Sequence, residues 1–237
     1  MKEHSKRYEE AAKLVEANKS YNPAEALALI KKMPLPKFDA TVELHMRMGL
    51  DPRNASQQVR GVATLPNGLG KQVRVLVFAQ GEAEKIAQDA GADTVGGEDL
   101  IKKIEEGFLD FDITIATPDM MGKVSKLGKI LGRKGLMPNP KAGTVVQPND
   151  LPRVINESRK GRVEFKLDRN GLIHLVIGKS SFDEKALLEN LTGVIEAIIK
   201  AKPSGAKGQY VETATISTTM GPGVPLDLKT TLALSAE

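Results

Sequence analysis

The chain has 237 residues, but it contains no cysteine and no tryptophan, and only three histidines. The lack of cysteine excludes disulfide bonds, thiolate metal sites and cysteine nucleophiles, and it is compatible with a reducing compartment. Because His4, His45 and His174 are widely separated, the sequence also disfavours a histidine metal cluster. We therefore expect no metal and no other cofactor.

Long hydrophobic runs are missing as well. No apolar stretch approaches the roughly 18 residues that a membrane-spanning helix needs, and residues 1–19 lack the apolar centre of a signal peptide. Hydrophobic residues nevertheless make up 41% of the chain, which is enough for real cores. We expect a soluble protein that stays in the cytoplasm.

The N-terminal segment predicts two helices followed by a strand. Residues 6–16 have the pattern of a first helix, and Asn22 followed by Pro23 marks the start of a second. Over residues 41–48 apolar and polar side chains alternate, which is typical of a strand in a sheet with one covered face.

The C-terminal segment has the same mixed style. Residues 163–178 predict a hairpin with a tight turn of positive φ at Asn170 and Gly171. An apolar stripe predicts a long amphipathic helix over residues 183–200, and a last strand follows over 209–218.

The middle of the chain follows a different pattern. Residues 73–79 form an apolar run typical of a strand buried on both faces, and alternating helices and strands continue to a final helix at 149–158. This order predicts an α/β unit with a three-layer, parallel sheet. Since neither chain end holds enough elements for a core of its own, we expect one discontinuous domain, 1–68 plus 159–237, with 69–158 inserted.

Glycine-rich turns in the chain do not match nucleotide-binding loops. Near Gly70 and Lys71, a phosphate loop would need a glycine where Leu65 stands and a hydroxyl where Gln72 stands. His174 has the pattern of an exposed or hydrogen-bonded strand histidine. With no nucleophile or acid-base constellation visible, we expect no enzymatic activity and no catalytic residues.

Residues 120–149 contain no aspartate or glutamate, which makes this segment suited to an anionic partner. Its glycines and prolines predict that its cations lie on turns and short helical pieces. Residues 69–158 hold 12 basic against 13 acidic residues, so the formal net charge of +4 comes from the chain ends. The cations of this basic stretch are Lys123, Lys126, Lys129, Arg133, Lys134 and Lys141.

Few aromatic residues are available for stacking on single-stranded RNA, since the chain has six Phe and three Tyr. This favours recognition of a structured RNA by backbone and shape. Two segments are candidates: the loop at Phe38, and the turn at 217–223 with its hydroxyls, methionine and glycine. On residue chemistry alone, a residue such as Phe38 is more often a core anchor, and a segment such as 217–223 is more often a plain turn.

Several spaced motifs resemble one family. The run SKLGKILGRKGLMPNPKAGTV is similar to the signature region of the ribosomal protein L one family, the large-subunit stalk proteins, in its bacterial type. The similarity extends in order through LPNGLGKQVRVLVFA, VGGEDLI, FDITIATPDMMG, GRVEFKLDRNGLIH and STTMGP. The resemblance implies a split βαβ domain, formed by both chain ends, with an inserted Rossmann-like domain.

The resemblance also implies a function in the ribosome. The expected protein is a non-enzymatic, monomeric constituent of the large subunit that binds 23S ribosomal RNA at the mobile stalk. It would assist release of deacylated tRNA from the exit site and repress translation of its own operon mRNA. The implied RNA-binding residues are Lys37, Phe38, Thr41, Glu43, Ser217, Thr219, Met220 and Gly221, with the basic stretch as a secondary RNA contact.

Two other classes of function compete with this interpretation. A small-molecule enzyme on the parallel-sheet domain is disfavoured by the missing phosphate loops, and a protein-interaction scaffold would retain no RNA. The C-terminal extension, residues 224–237, departs from the family pattern and carries no predicted role.

Overall fold

The structure is a computed structural model that describes residues 5–16, 19–34 and 36–234. The α-helices in this part of the chain are α1 (Lys6–Lys13), α2 (Pro23–Lys32), α3 (Glu82–Asp89), α4 (Glu98–Glu105), α5 (Pro118–Val124), α6 (Gly128–Lys134), α7 (Leu151–Arg159), α8 (Glu184–Lys200) and α9 (Leu228–Ala233). The strands are β1 (Thr41–Met48), β2 (Arg60–Thr64), β3 (Val75–Phe78), β4 (Thr94–Gly96), β5 (Ile113–Ala116), β6 (Arg162–Lys166), β7 (Leu172–Lys179), β8 (Val211–Thr218) and β9 (Val224–Pro225). Among these residues no helix is both long and apolar enough to cross a membrane.

The chain divides into two compact units. The first comprises the described residues up to Gly70 and those from Val163 onward, and the second is Lys71–Arg162. The boundaries expected from the sequence, at 69 and 158, lie within a few residues of these. The division into one discontinuous domain and one inserted domain stays a prediction.

The first unit is built around an antiparallel sheet with the strand order β7-β1-β8-β9. Strand β1 runs antiparallel to both β7 and β8, so these two strands are parallel to each other and α8 connects them. This is a βαβ unit split by an intervening strand, as the family resemblance implies.

Helices α2 and α8 pack on one face of this sheet, and the pattern of β1 explains why. Its alternate residues Val42, Leu44 and Met46 are at most 1% exposed and belong to the core. The residues between them, such as His45 and Arg47, lie on the opposite face, where they are partly or fully exposed. The predicted alternation over residues 41–48 is confirmed.

The predicted hairpin between β6 and β7 is wrong. A turn does form at the expected place, with backbone N–H groups of Asn170 and Leu172 donating to the Asp168 carboxylate at 2.8 and 2.7 Å. Only Gly171 has positive φ there, and beyond it the strands part. Strand β6 pairs with β2 in a separate two-stranded sheet, and β7 pairs with β1 at the edge of the four-stranded sheet.

The second unit contains a parallel sheet with the order β4-β3-β5. All four residues of β3 are buried. Leu76 and Phe78 pack in one core with residues of α4, α5 and α6, whereas α3 and α7 contact β3 and each other. Because side chains alternate along a strand, the two sets of helices cover opposite faces. The predicted three-layer, Rossmann-like arrangement is confirmed.

Some element boundaries differ from the sequence interpretation. Helix α1 ends at Lys13 rather than at residue 16, and α7 begins at Leu151 after a short 3-10 turn, rather than at residue 149. The C-terminal extension forms β9, which pairs with β8, and α9, which is capped by Asp227. The last three residues of the extension lie outside the described part of the chain.

Candidate nucleic-acid interface

The start of β1 and the end of β8 lie side by side at one end of the four-stranded sheet. The Thr41 N–H donates to Thr219 Oγ1 at 3.1 Å, and the Thr219 N–H donates to the Thr41 carbonyl at 2.9 Å. The two candidate segments, which the sequence separates by 178 positions, are therefore joined directly. We call their predicted RNA-binding residues the sheet-end patch: Lys37, Phe38, Thr41, Glu43, Ser217, Thr219, Met220 and Gly221.

Two large apolar side chains of the sheet-end patch are exposed. Phe38 is 52% exposed and Met220 is 68% exposed. Their exposure argues against the alternative that Phe38 anchors the core. An exposed apolar side chain beside hydroxyls and a cation is suited to pack against a sugar or base face.

Met220 also has an unusual backbone conformation. Its φ of 67° is the only positive φ of a non-glycine residue in the described part of the chain. Such a conformation costs roughly 1–2 kcal/mol for a residue with a Cβ. Hydrogen bonds on both sides hold it, because the N–H groups of Thr219 and Gly221 donate to Thr41 and Thr218. At Gly221 a Cβ would collide with the Thr218 hydroxyl, so any other residue there would force the Thr218 side chain to move.

Sequence reasoning missed the residues that hold the Phe38 loop. The Asp39 carboxylate accepts hydrogen bonds from Ser180 Oγ at 2.9 Å, and from the N–H and Oγ of Ser181 at 3.1 and 2.9 Å. Desolvation of Asp39 acts to raise its pKa, but these hydrogen bonds outweigh it and lower the pKa below the ordinary value. The sequence signal for this contact is the pair Ser180 and Ser181, two hydroxyl residues that directly follow β7.

A pair of histidines lies beside the patch on the exposed face of the sheet. His45 Nδ1 is 2.9 Å from His174 Nδ1, and His45 Nε2 is 3.1 Å from Ser217 Oγ. The interpretation of His174 as an exposed, hydrogen-bonded strand histidine is confirmed. Desolvation and the neighbouring His174 lower the pKa of His45, while the Glu43 carboxylate, 3.6 Å from Nε2, opposes them.

This histidine pair predicts a pH dependence of stability. Since the pKa of His45 is lower in the folded than in the unfolded state, the unfolded state binds the proton more readily. The free energy of unfolding should therefore fall as the pH drops below about 6.5, the pKa of an unperturbed histidine, until His45 is protonated in the folded state as well. An NMR titration would measure the pKa of His45, and urea unfolding between about pH 7.5 and 5 would measure the free energy of unfolding.

His45→Gln is the matched variant for this prediction. It keeps a hydrogen-bonding side chain but removes the titration, so the decrease of stability towards low pH should become shallower. Asp39 and Asp112, whose pKa values are also lowered, lose their contribution only near and below the ordinary aspartate pKa of about 3.9. An identical pH profile for wild type and His45→Gln would contradict the assignment.

The basic stretch belongs to the second unit. Helix α5, a 3-10 turn at Ser125–Leu127 and α6 follow one another without a break, and Gly135 in the left-handed conformation ends α6. This confirms the expected display of the cations on short helical pieces. Lys126, Lys129 and Arg133 are exposed.

Lys123 differs from the other cations of the basic stretch. Its Nζ lies 2.7 Å from the Glu98 carboxylate of α4, so much of its charge is neutralised within the unit. The same contact lowers the pKa of Glu98. Because the two residues are 25 positions apart, the charge pattern of residues 120–149 gave no sign of this pair.

The fold defines the class as a two-unit α/β protein, with a split βαβ sheet in one unit and a parallel, Rossmann-like sheet in the other. Residues 27–222 match the model of the Ribosomal protein L1p/L10e family. The chain is 65% identical over 231 residues to "Large ribosomal subunit protein uL1" of Dehalococcoides mccartyi, covering 98% of each chain. It is 57% identical to the protein of that name from Chloroflexus aggregans, covering 96% of this chain and 97% of the relative.

The chain therefore belongs to the Ribosomal protein L1p/L10e family. This membership confirms the resemblance seen in the motifs. It also confirms that the protein is not an enzyme, because the family consists of structural ribosomal proteins.

Proposed function

We propose that this chain is a structural component of the large ribosomal subunit, located in the cytoplasm, and that it binds large-subunit ribosomal RNA at the stalk through the sheet-end patch. The observation that carries this proposal is Met220, a mostly exposed apolar residue fixed in a strained backbone conformation. Strain of this kind is retained where the surrounding structure holds a residue ready for contact. The adjoining hydroxyls of Thr41, Ser217 and Thr219 can engage phosphates and 2′-hydroxyls.

The proposal includes two further RNA partners. Deacylated tRNA leaving the exit site is proposed to contact the basic stretch, since Lys126, Lys129 and Arg133 are exposed and lie on short helices. Repression of the protein's own operon mRNA would use the sheet-end patch on an RNA fold like that of the stalk. In each case the protein acts as a monomer.

A filter-binding titration tests the proposal. The full chain is titrated against a stalk RNA fragment and against an unrelated duplex of equal length, at two salt concentrations. We expect tighter binding to the stalk fragment at both salt concentrations. Contacts to the RNA shape and its hydroxyls add to the salt-dependent attraction between basic residues and phosphates. Equal affinity for the two RNAs would contradict specific recognition, and no retention would favour a protein-interaction scaffold.

The secondary role of the basic stretch can be tested with two lysine variants. Lys126→Ala should weaken binding to the stalk RNA fragment by less than about 1 kcal/mol. It should also lower the slope of log affinity against log salt by about one. Lys123→Ala removes the same charge, but its partner Glu98 already neutralises it, so the slope should change less. Equal slopes for the two variants would show that the ion pair does not determine which cations meet RNA.

A further inference from the structure

Lys179, the last residue of β7, is not one of the predicted residues of the sheet-end patch, but it contacts the patch directly. Its Nζ donates a hydrogen bond to Thr41 Oγ1 at 2.9 Å. It therefore reaches the junction where Thr41 also pairs with Thr219.

The stem of Lys179 is held in place by packing. A Cβ built on Gly70 would lie 2.9 Å from Lys179 Cγ and 2.7 Å from the Phe182 ring. Gly70 has a φ of 69°, in the left-handed region that glycine adopts without steric cost. Because Gly70 has no side chain, it leaves room for the stem of Lys179. A packed stem costs less conformational entropy on binding than a free one does.

The charge of Lys179 is not neutralised by a direct partner. Its ammonium group forms no ion pair with a carboxylate in the described part of the chain, where the one hydrogen bond of Nζ is to the Thr41 hydroxyl. Asp39 is the carboxylate whose pKa it influences, but the oxygens of Asp39 accept hydrogen bonds from Ser180 and Ser181. Since an ammonium group has three donors, Lys179 has donors left for another ligand.

We propose that Lys179 binds one backbone phosphate of the RNA, beside the Thr41 hydroxyl. This rests on the proposed function, because the phosphate belongs to the RNA that the sheet-end patch is proposed to bind. Lys179 adds a positive charge next to Thr41. A positioned ammonium among hydroxyls is a suitable phosphate contact, and it would set the register of the RNA on the patch.

A salt titration of RNA binding with charge variants tests this assignment. Lys179→Gln should lower the affinity for the stalk RNA fragment by roughly 3- to 10-fold at low salt and reduce the slope of log affinity against log salt by about one. Lys179→Arg, which keeps the charge, should keep the slope. Lys207→Gln is the matched control, because it removes an exposed lysine before the other end of β8 and should leave the slope unchanged.

The outcomes separate the roles clearly. A loss of affinity with an unchanged slope would mean that Lys179 only positions Thr41, and would overturn the phosphate contact. If Lys179→Gln binds the RNA as tightly as Lys207→Gln does, the phosphate contact is overturned as well. If Met220→Ala weakens binding while Lys179→Gln does not, this inference fails and the proposed function stands; if the wild type retains no RNA, both fail. Should Lys179→Gln unfold, Lys179→Met, which keeps the packed stem, takes its place.

Discussion

Met220→Ala should weaken binding to a stalk RNA fragment by about 1–3 kcal/mol while leaving the free energy of unfolding unchanged or slightly higher. The reason is its exposure. A side chain that is 68% exposed contributes little to the core, so truncating it removes few contacts within the protein. The loss of affinity must then come from a contact made only with the ligand.

Met220→Gly sharpens this expectation. Glycine adopts a φ of 67° without the steric penalty of a Cβ, so the folded state should gain up to about 1 kcal/mol relative to wild type. RNA affinity should nevertheless fall, as in Met220→Ala. A protein that becomes more stable but binds RNA less well would show that the strain at Met220 is retained for binding.

The control is Leu14→Ala, which truncates another large apolar side chain that is 43% exposed. It should leave the RNA affinity unchanged. Filter binding and thermal unfolding of all three variants would measure both properties. Unchanged RNA affinity in Met220→Ala would remove the main support for the sheet-end patch.

Asn190→Ala should lower the free energy of unfolding by roughly 2–4 kcal/mol, because it leaves several backbone groups without a partner. Asn190 is fully buried on α8. Its Nδ2 donates to the carbonyls of Ile177 at 2.8 Å and Gly68 at 3.1 Å, and its Oδ1 accepts from the Asn67 N–H at 3.0 Å. Water can replace the bond at the exposed Asn67 but not the bond at the buried Ile177.

Amide hydrogen exchange would locate this effect. Protection should fall first in β7 and α8, which Asn190 links, and urea unfolding would measure the overall loss. The matched control is Asn170→Ala, which changes an exposed asparagine in the turn before β7 and should cost less than about 0.5 kcal/mol. Equal losses for the two variants would contradict the stabilising role of the Asn190 amide.

Local signals in the sequence were enough to predict many of the elements. Asn22 and Pro23 specify the start of α2, and the Asn22 side chain indeed accepts from the Ala24 N–H at 3.3 Å. The alternation of β1 and the continuous apolar run of β3 distinguish a half-covered strand from a fully buried one. These patterns depend on side chains within one turn or one strand, so the sequence alone contains them.

Strand pairing was harder to predict from the sequence than the individual strands. The pattern over residues 163–178 favoured a hairpin because neighbouring strands with an Asn-Gly turn usually pair. In the fold, β6 instead pairs with β2, which lies about 100 residues earlier in the chain, and β7 pairs with β1, which is also distant in sequence. Which strands pair depends on partners that are distant in sequence, and a local pattern carries no information about them.

By itself the sequence determined the mixed α/β class, the motifs of the family and the residues of the two candidate segments. Tertiary structure alone decided that Thr41 bonds to Thr219, that Lys179 joins them, and that Met220 is held exposed at positive φ. Each of these depends on contacts between residues far apart in the chain, and such contacts exist only once the strands have paired. Glu98 shows the same for the basic stretch, since its pairing with Lys123 requires α4 and α5 to pack together.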